Sequence, residues 1–116
     1  MHVVRKALAP GYEAPGHSAM SMQRLQGREA GPSDTVWIGL SVIEPGGGTT
    51  LSASAVEKFY VVVDGELEIT GELGDMTQTE VLHRLDSCRI APFEARRLFN
   101  GSDRAASVLL VMPEAR

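Results

Sequence analysis

Residues 57–71, EKFYVVVDGELEITG, constrain the fold more than any other stretch of the chain. Two runs rich in β-branched and aromatic residues flank Asp64-Gly65. An Asp-Gly pair between alternating apolar residues is a strong signal for a two-residue hairpin, because glycine accepts the positive φ that a type I′ turn requires. The stretch predicts strands over 57–63 and 66–71, joined by that turn. The same short alternation recurs at 19–25, 35–43, 78–84, 87–91, 96–99 and 105–112. Glu44-Pro45 and Gly46-Gly47-Gly48 are expected to stop the second of these runs. Gly74-Asp75 and Gly101-Ser102-Asp103 supply turns between later ones. No segment carries a 3.6-residue apolar period over ten or more positions, so no helix is predicted. The pattern is that of an all-β sandwich or barrel.

Composition narrows the class. With 116 residues, one domain of 19–116 preceded by an irregular arm of 1–18 is expected, and Pro10, Gly11, Pro15 and Gly16 break up the arm. Val3, Val4, Leu8 and Tyr12 favour an arm packed on the barrel mouth or on a partner subunit. Net charge is −4 without a basic run, which argues against nucleic acid as a partner. The apolar runs, Val108–Met112 among the longest, are too short to span a bilayer. A single cysteine, Cys88, and no apolar leader segment point to a reducing, cytoplasmic setting.

Residues 35–112 resemble the small single-domain cupins. The likeness rests on the Pro45-Gly46-Gly47 opening, the segment EKFYVVVDGELEI, and the later segment LDSCRIAPFEARRLFNGSD. The resemblance implies a jelly-roll, or double-stranded β-helix, cupin barrel. The first family signature reads G-x5-H-x-H-x3,4-E-x6-G. Counting back from Gly65 puts Lys58 in its glutamate slot, with Ser52 and Ser54 near its histidine slots. In the second signature, Asn100 as the final asparagine puts Arg96 in the histidine slot. All four metal-ligand slots are therefore replaced. First-row metals bind His nitrogen, Cys sulfur or carboxylate oxygen at about 2.0–2.3 Å. Charged lysine and arginine offer no lone pair and repel a cation. No metal and no other cofactor is expected, although a site assembled in space from His2, His17 and His83 stays open.

Strand parity puts Lys58, Tyr60 and Val62 on one face and Glu57, Phe59, Val61 and Val63 on the other. The resemblance implies that Lys58 and Tyr60 point into the barrel. On the strand around Trp37, parity leaves either face inward. Two cations, the hydroxyls of Ser52 and Ser54 and the Tyr60 phenol would then meet among apolar walls. A buried cation needs a partner, and Glu94 is the nearest protein candidate to Arg96 in sequence. The expected function is metal-independent binding of a small anionic, carboxylate-bearing metabolite, with Arg96 as a bidentate clamp beside Tyr60, Ser52 and Ser54. Two alternatives stand beside it. One is a metal-independent isomerase, cyclase or decarboxylase acting on a carboxylated substrate, with Lys58 and His17 as catalytic groups. The other is a structural or interaction module with a filled barrel. The apolar face of Phe59, Val61 and Val63 suggests a homodimer.

Overall fold

The computed structural model describes residues 1–114; the last two residues of the expected 19–116 barrel lie outside the described residues. Ten strands run through them: β1 (Gly11–Tyr12), β2 (His17–Gln26), β3 (Val36–Thr49), β4 (Ser52–Ala53), β5 (Lys58–Asp64), β6 (Leu67–Leu73), β7 (Met76–Leu82), β8 (Ser87–Ile90), β9 (Ala95–Phe99) and β10 (Ala106–Pro113). Every pairing between them is antiparallel. The strand order is β7-β6-β9-β3-β10-β5-β8, with β2 along β3, β1 on β2 and β4 on β9. The all-β jelly-roll barrel expected from the sequence is the fold observed.

The triple glycine does not stop its strand. β3 continues through it, pairing with β10 over residues 36–43 and with β2 between Ile38 and Thr49, and meeting β9 at Gly48↔Phe99. One strand thus serves both walls of the barrel, the kind of corner that strand bends create. Glycine is needed there because Gly48 has φ 156° and a Cβ would collide with the Leu98 carbonyl. Asn100 locks the corner from inside. It is fully buried, its side-chain nitrogen donates to the Ile43 carbonyl at 2.9 Å and the Arg104 carbonyl at 2.7 Å, and its Oδ1 accepts from Ser102.

The predicted hairpin at Asp64-Gly65 is not formed. β5 pairs with β10 and β8, while β6 pairs with β7 and β9, so this turn carries the chain from one wall to the other. Local turn chemistry is right, with Gly65 at φ 75°. What overrides the pairing is burial. Tyr60 and Val62 of β5 share one core with Leu67 and Ile69 of β6, and the two strands lie in opposite walls rather than side by side. The tight hairpin nearby is β6–β7, closed by Gly74-Asp75 between Leu73 and its partner Met76.

Alternation decides which residues point inward. Trp37, Gly39, Ser41 and Ile43 are the buried set on β3, which resolves the parity left open by the sequence. Lys58, Tyr60 and Val62 are buried on β5, while Phe59 stays 41% exposed. Ile43, Val62, Leu67, Ile69, Ile90, Leu98 and Val108 fill the centre. Each such side chain contributes roughly 1.5–3 kcal/mol of transfer free energy.

The N-terminal segment is packed along the barrel. The Gln23 side chain donates to the carbonyls of Lys6 and Ala9, and the Arg24 amide donates to the Pro10 carbonyl at 2.8 Å. The Thr50 amide donates to the Gly16 carbonyl at 2.8 Å. Residues 13–15 therefore span between two fixed points, the β1–β2 pairing and Gly16.

Candidate functional site

The strap from Tyr12 to His17 crosses a pocket of about 330 Å³ at one end of the barrel. That volume lies near the lower end of the range for small-molecule sites. Two buried cations, Lys58 and Arg96, line it, at 5% and 8% exposure. Ser52 and Ser54 line it as well. Ser52 sits opposite Arg96 in the β4–β9 pairing, so both signatures meet at one place.

Arg96 is held by neutral oxygens alone. Its Nε donates to the Tyr60 hydroxyl at 2.9 Å, and its Nη1 reaches Ser52 Oγ at 3.1 Å and Thr49 Oγ1 and the Thr50 carbonyl at 3.3 Å. These bonds take one nitrogen from each of the two edges a bidentate clamp could use, leaving Nη2 as the free nitrogen among the described residues. Glu94 does not answer Arg96. Its carboxylate caps the Ala91 amide at 2.9 Å, because the turn at residues 91–94 folds it back on its own backbone. Neither Lys58 nor Arg96 has a carboxylate within ion-pair distance among the described residues. Burial, and then the neighbouring Arg96 charge, lower the Lys58 pKa from its ordinary value. Burial raises the Tyr60 pKa, opposed by the Arg96 charge and hydrogen bond.

The same pocket is lined by an aromatic corner. Tyr12 meets Trp37 edge-on with centroids 6.0 Å apart, and the Arg24 guanidinium lies 3.5 Å from the Tyr12 centroid and 4.2 Å from that of Trp37. Arg24 is also paired with Glu29 at 3.1 Å, so its charge is balanced within the protein. Trp37 Nε1 and Ser54 Oγ are buried without a hydrogen-bond partner among the described residues. A polar atom in that state costs about 1–3 kcal/mol, which a ligand oxygen would relieve. His17 lines the pocket, its Nδ1 2.8 Å from the Pro15 carbonyl. A carbonyl only accepts, so Nδ1 carries a proton and Nε2 is the acceptor of the neutral ring.

Comparison with known proteins places this geometry in a family. The chain is 44% identical over 112 residues to Beta-D-galactosidase Rv1717 of Mycobacterium tuberculosis, covering 97% of this chain and 93% of that one. Among solved structures, the polyketide cyclase RemF of Streptomyces resistomycificus superposes with a TM-score of 0.79 at 19% identity, over 97% of this chain and 79% of that one. An RmlC-like cupin from Shewanella frigidimarina superposes with a TM-score of 0.76 at 14% identity, over 100% and 93% of the two chains. The chain has the cupin fold, and it belongs to the same family as the mycobacterial protein. No protein-family profile matches the sequence.

The residues of this cupin do not fit a divalent metal at the usual barrel site. Two cations and two hydroxyls occupy the ligand slots, and no group of three His, Cys, Asp or Glu among the described residues is arranged to hold one. The three histidines lie apart: His2 bonds the Ala30 carbonyl, His17 edges the pocket, and His83 sits 3.3 Å from Glu66. His83 falls one residue past the end of the edge strand β7 and is exposed. Cys88 is half-buried against the core, and burial pushes its thiol up to about 11, as expected for an inert packed cysteine.

Sequence reasoning missed Glu13 and Arg24, both of which line the pocket. Arg24 had a usable signal, since it shares a strand with inward-facing Met20 and Met22 at even spacing. Glu13 had none, because no periodicity places a residue between Tyr12 and Pro15.

Proposed function

We propose that the cupin binds a small sugar bearing an acid group in this pocket, without a metal, and cleaves its β-galactosidic bond. One observation carries the first half of the reading: Lys58 and Arg96 are both buried with no carboxylate within ion-pair distance among the described residues. A desolvated cation without a partner is costly, and an anionic ligand group is the natural complement. Lys58 then acts as a point charge and Arg96 contributes Nη2, held in place by Tyr60, Ser52 and Thr49. The buried Trp37 Nε1 and Ser54 Oγ would bond sugar hydroxyls, and the Trp37–Tyr12 corner offers an apolar wall to a pyranose ring. The bond class comes from the mycobacterial relative, whose name is that of a β-D-galactosidase. His17 serves as a proton-transfer group at the rim.

A second reading is binding without turnover. It is favoured by one feature: glycoside hydrolysis commonly uses two carboxylates, and Glu13 is the single carboxylate lining this pocket among the described residues. An isomerase, cyclase or decarboxylase acting on a carboxylated substrate would use the same cation pair. A filled structural barrel draws no support from a pocket of this volume. The proposal keeps the protein cytoplasmic and homodimeric, on the strength of the lone Cys88 and the exposed Phe59.

The test compares two chromogenic substrates, 4-nitrophenyl β-D-galactoside and the corresponding β-D-galacturonide, with protein treated with a chelator throughout. Release of nitrophenol from both, with kcat/KM on the order of tenfold higher for the uronide, is expected from one charge-assisted contact. Equal rates would remove the acid-bearing part of the proposal. No release from either would remove the hydrolase part and leave binding.

A further inference from the structure

We infer that Glu13 is the catalytic base of this cupin, acting with His17 as its acid from the same strap; the inference rests on the hydrolase reading above. Lys58 and Arg96 can hold an anion, but neither suits the reacting carbon. An oxocarbenium-like centre gathers positive charge during glycoside cleavage, and cations beside it oppose that. A carboxylate is required on the reacting side, and Glu13 is the one available in the lining.

The strap is built to present it. Tyr12 is fixed by its pairing with Met22 and its edge contact with Trp37, and Gly16 is fixed by the Thr50 amide. Glu13 lies between these anchors with an exposed side chain and no hydrogen bond or ion pair to another described residue. A carboxylate free of internal partners is available to a water molecule. His17 follows four residues later, with Nδ1–H committed to the Pro15 carbonyl. In the imidazolium form its remaining N–H is Nε2–H, a donor for the departing oxygen.

Water oxygen forms a bond to the anomeric carbon while the glycosidic carbon–oxygen bond breaks. The proton of the water passes to Glu13, and the departing oxygen takes a proton from His17 Nε2. Glu13 then returns its proton to solvent and His17 regains one, so a single water is consumed. A single displacement inverts the anomeric carbon, and the sugar is released first as the α-anomer.

The experiment uses Glu13→Gln and His17→Gln in the full chain, with 4-nitrophenyl and methyl β-D-galactosides and with the matching uronides. General-base catalysis contributes about 10²–10⁴-fold, so Glu13→Gln is expected to lose that factor in kcat on every substrate while galacturonate binding and thermal melting stay at wild-type values. Sodium azide, an anion that needs no deprotonation, is expected to restore part of the lost rate. His17→Gln is expected to lose far more on the methyl glycosides than on the nitrophenyl ones, whose leaving group departs without a proton. Wild-type activity with an unimpaired Glu13→Gln, or release of the β-anomer first, overturns the assignment. An inactive wild type overturns the hydrolase reading itself and this inference with it.

Discussion

Lys58 is the residue on which the account turns. It occupies the glutamate slot of the first signature, and it is buried beside Arg96 rather than turned out to solvent. Its folded pKa is lower than its unfolded value, so between the two the unfolded chain binds more protons and stability rises with pH. Below the folded value the full penalty of a buried charge is present; above the unfolded value, near 10.5, it is gone. Lys58→Met is therefore expected to be more stable than wild type by about 1–3 kcal/mol at pH 7. That difference should shrink as pH climbs toward 10.5, which denaturant unfolding of both proteins at several alkaline pH values measures directly. A variant difference that is flat in pH would mean that Lys58 is not desolvated. Burial also raises the pKa values of Tyr60 and Cys88, and comparing the two proteins at each pH cancels their contributions.

At the scale of elements, the sequence specifies faces better than partners. Alternation grouped Lys58, Tyr60 and Val62 on one face of β5, the family resemblance turned that face inward, and it is the buried one. The same stretch misassigned its neighbour. An Asp-Gly turn states only that the chain reverses sharply, and a reversal within one sheet looks the same as a crossing between two. The Gly46-Gly47-Gly48 segment misled for a related reason. Glycine reads as a loop, but here it is the residue that lets β3 pass close to the Leu98 carbonyl while changing walls. The candidate site divides in the same way. Ser52 and Arg96 lie on paired strands, and both they and Lys58 were legible from signature spacing. Glu13 lies on a strap whose position depends on contacts with Trp37, Arg24 and Thr50, all distant in sequence.

At the scale of the molecule, the outer surface carries apolar residues that a lone barrel leaves in water. Phe59 on β5 and Val36 on β3 are 41% and 37% exposed, and they border a groove shared with Val111 and Pro113. The Arg89–Glu57 ion pair, at 2.5 Å, neutralises the charges beside Phe59. A homodimer through this sheet is expected: light scattering at micromolar concentration should give twice the monomer mass, and Phe59→Asp should give the monomer. A monomeric wild type would contradict it. No helix among the described residues is long and apolar enough to cross a membrane.

On the proposed function, the barrel selects its ligand by an acid group that Lys58 and Arg96 receive. Titration calorimetry with galacturonate and galactose, on wild type and on Lys58→Met, tests it most directly. Wild type is expected to bind galacturonate on the order of tenfold more tightly than galactose, and Lys58→Met to lose the preference while still binding the neutral sugar. Equal affinity of the wild type for the two sugars, or a preference that survives Lys58→Met intact, would contradict it.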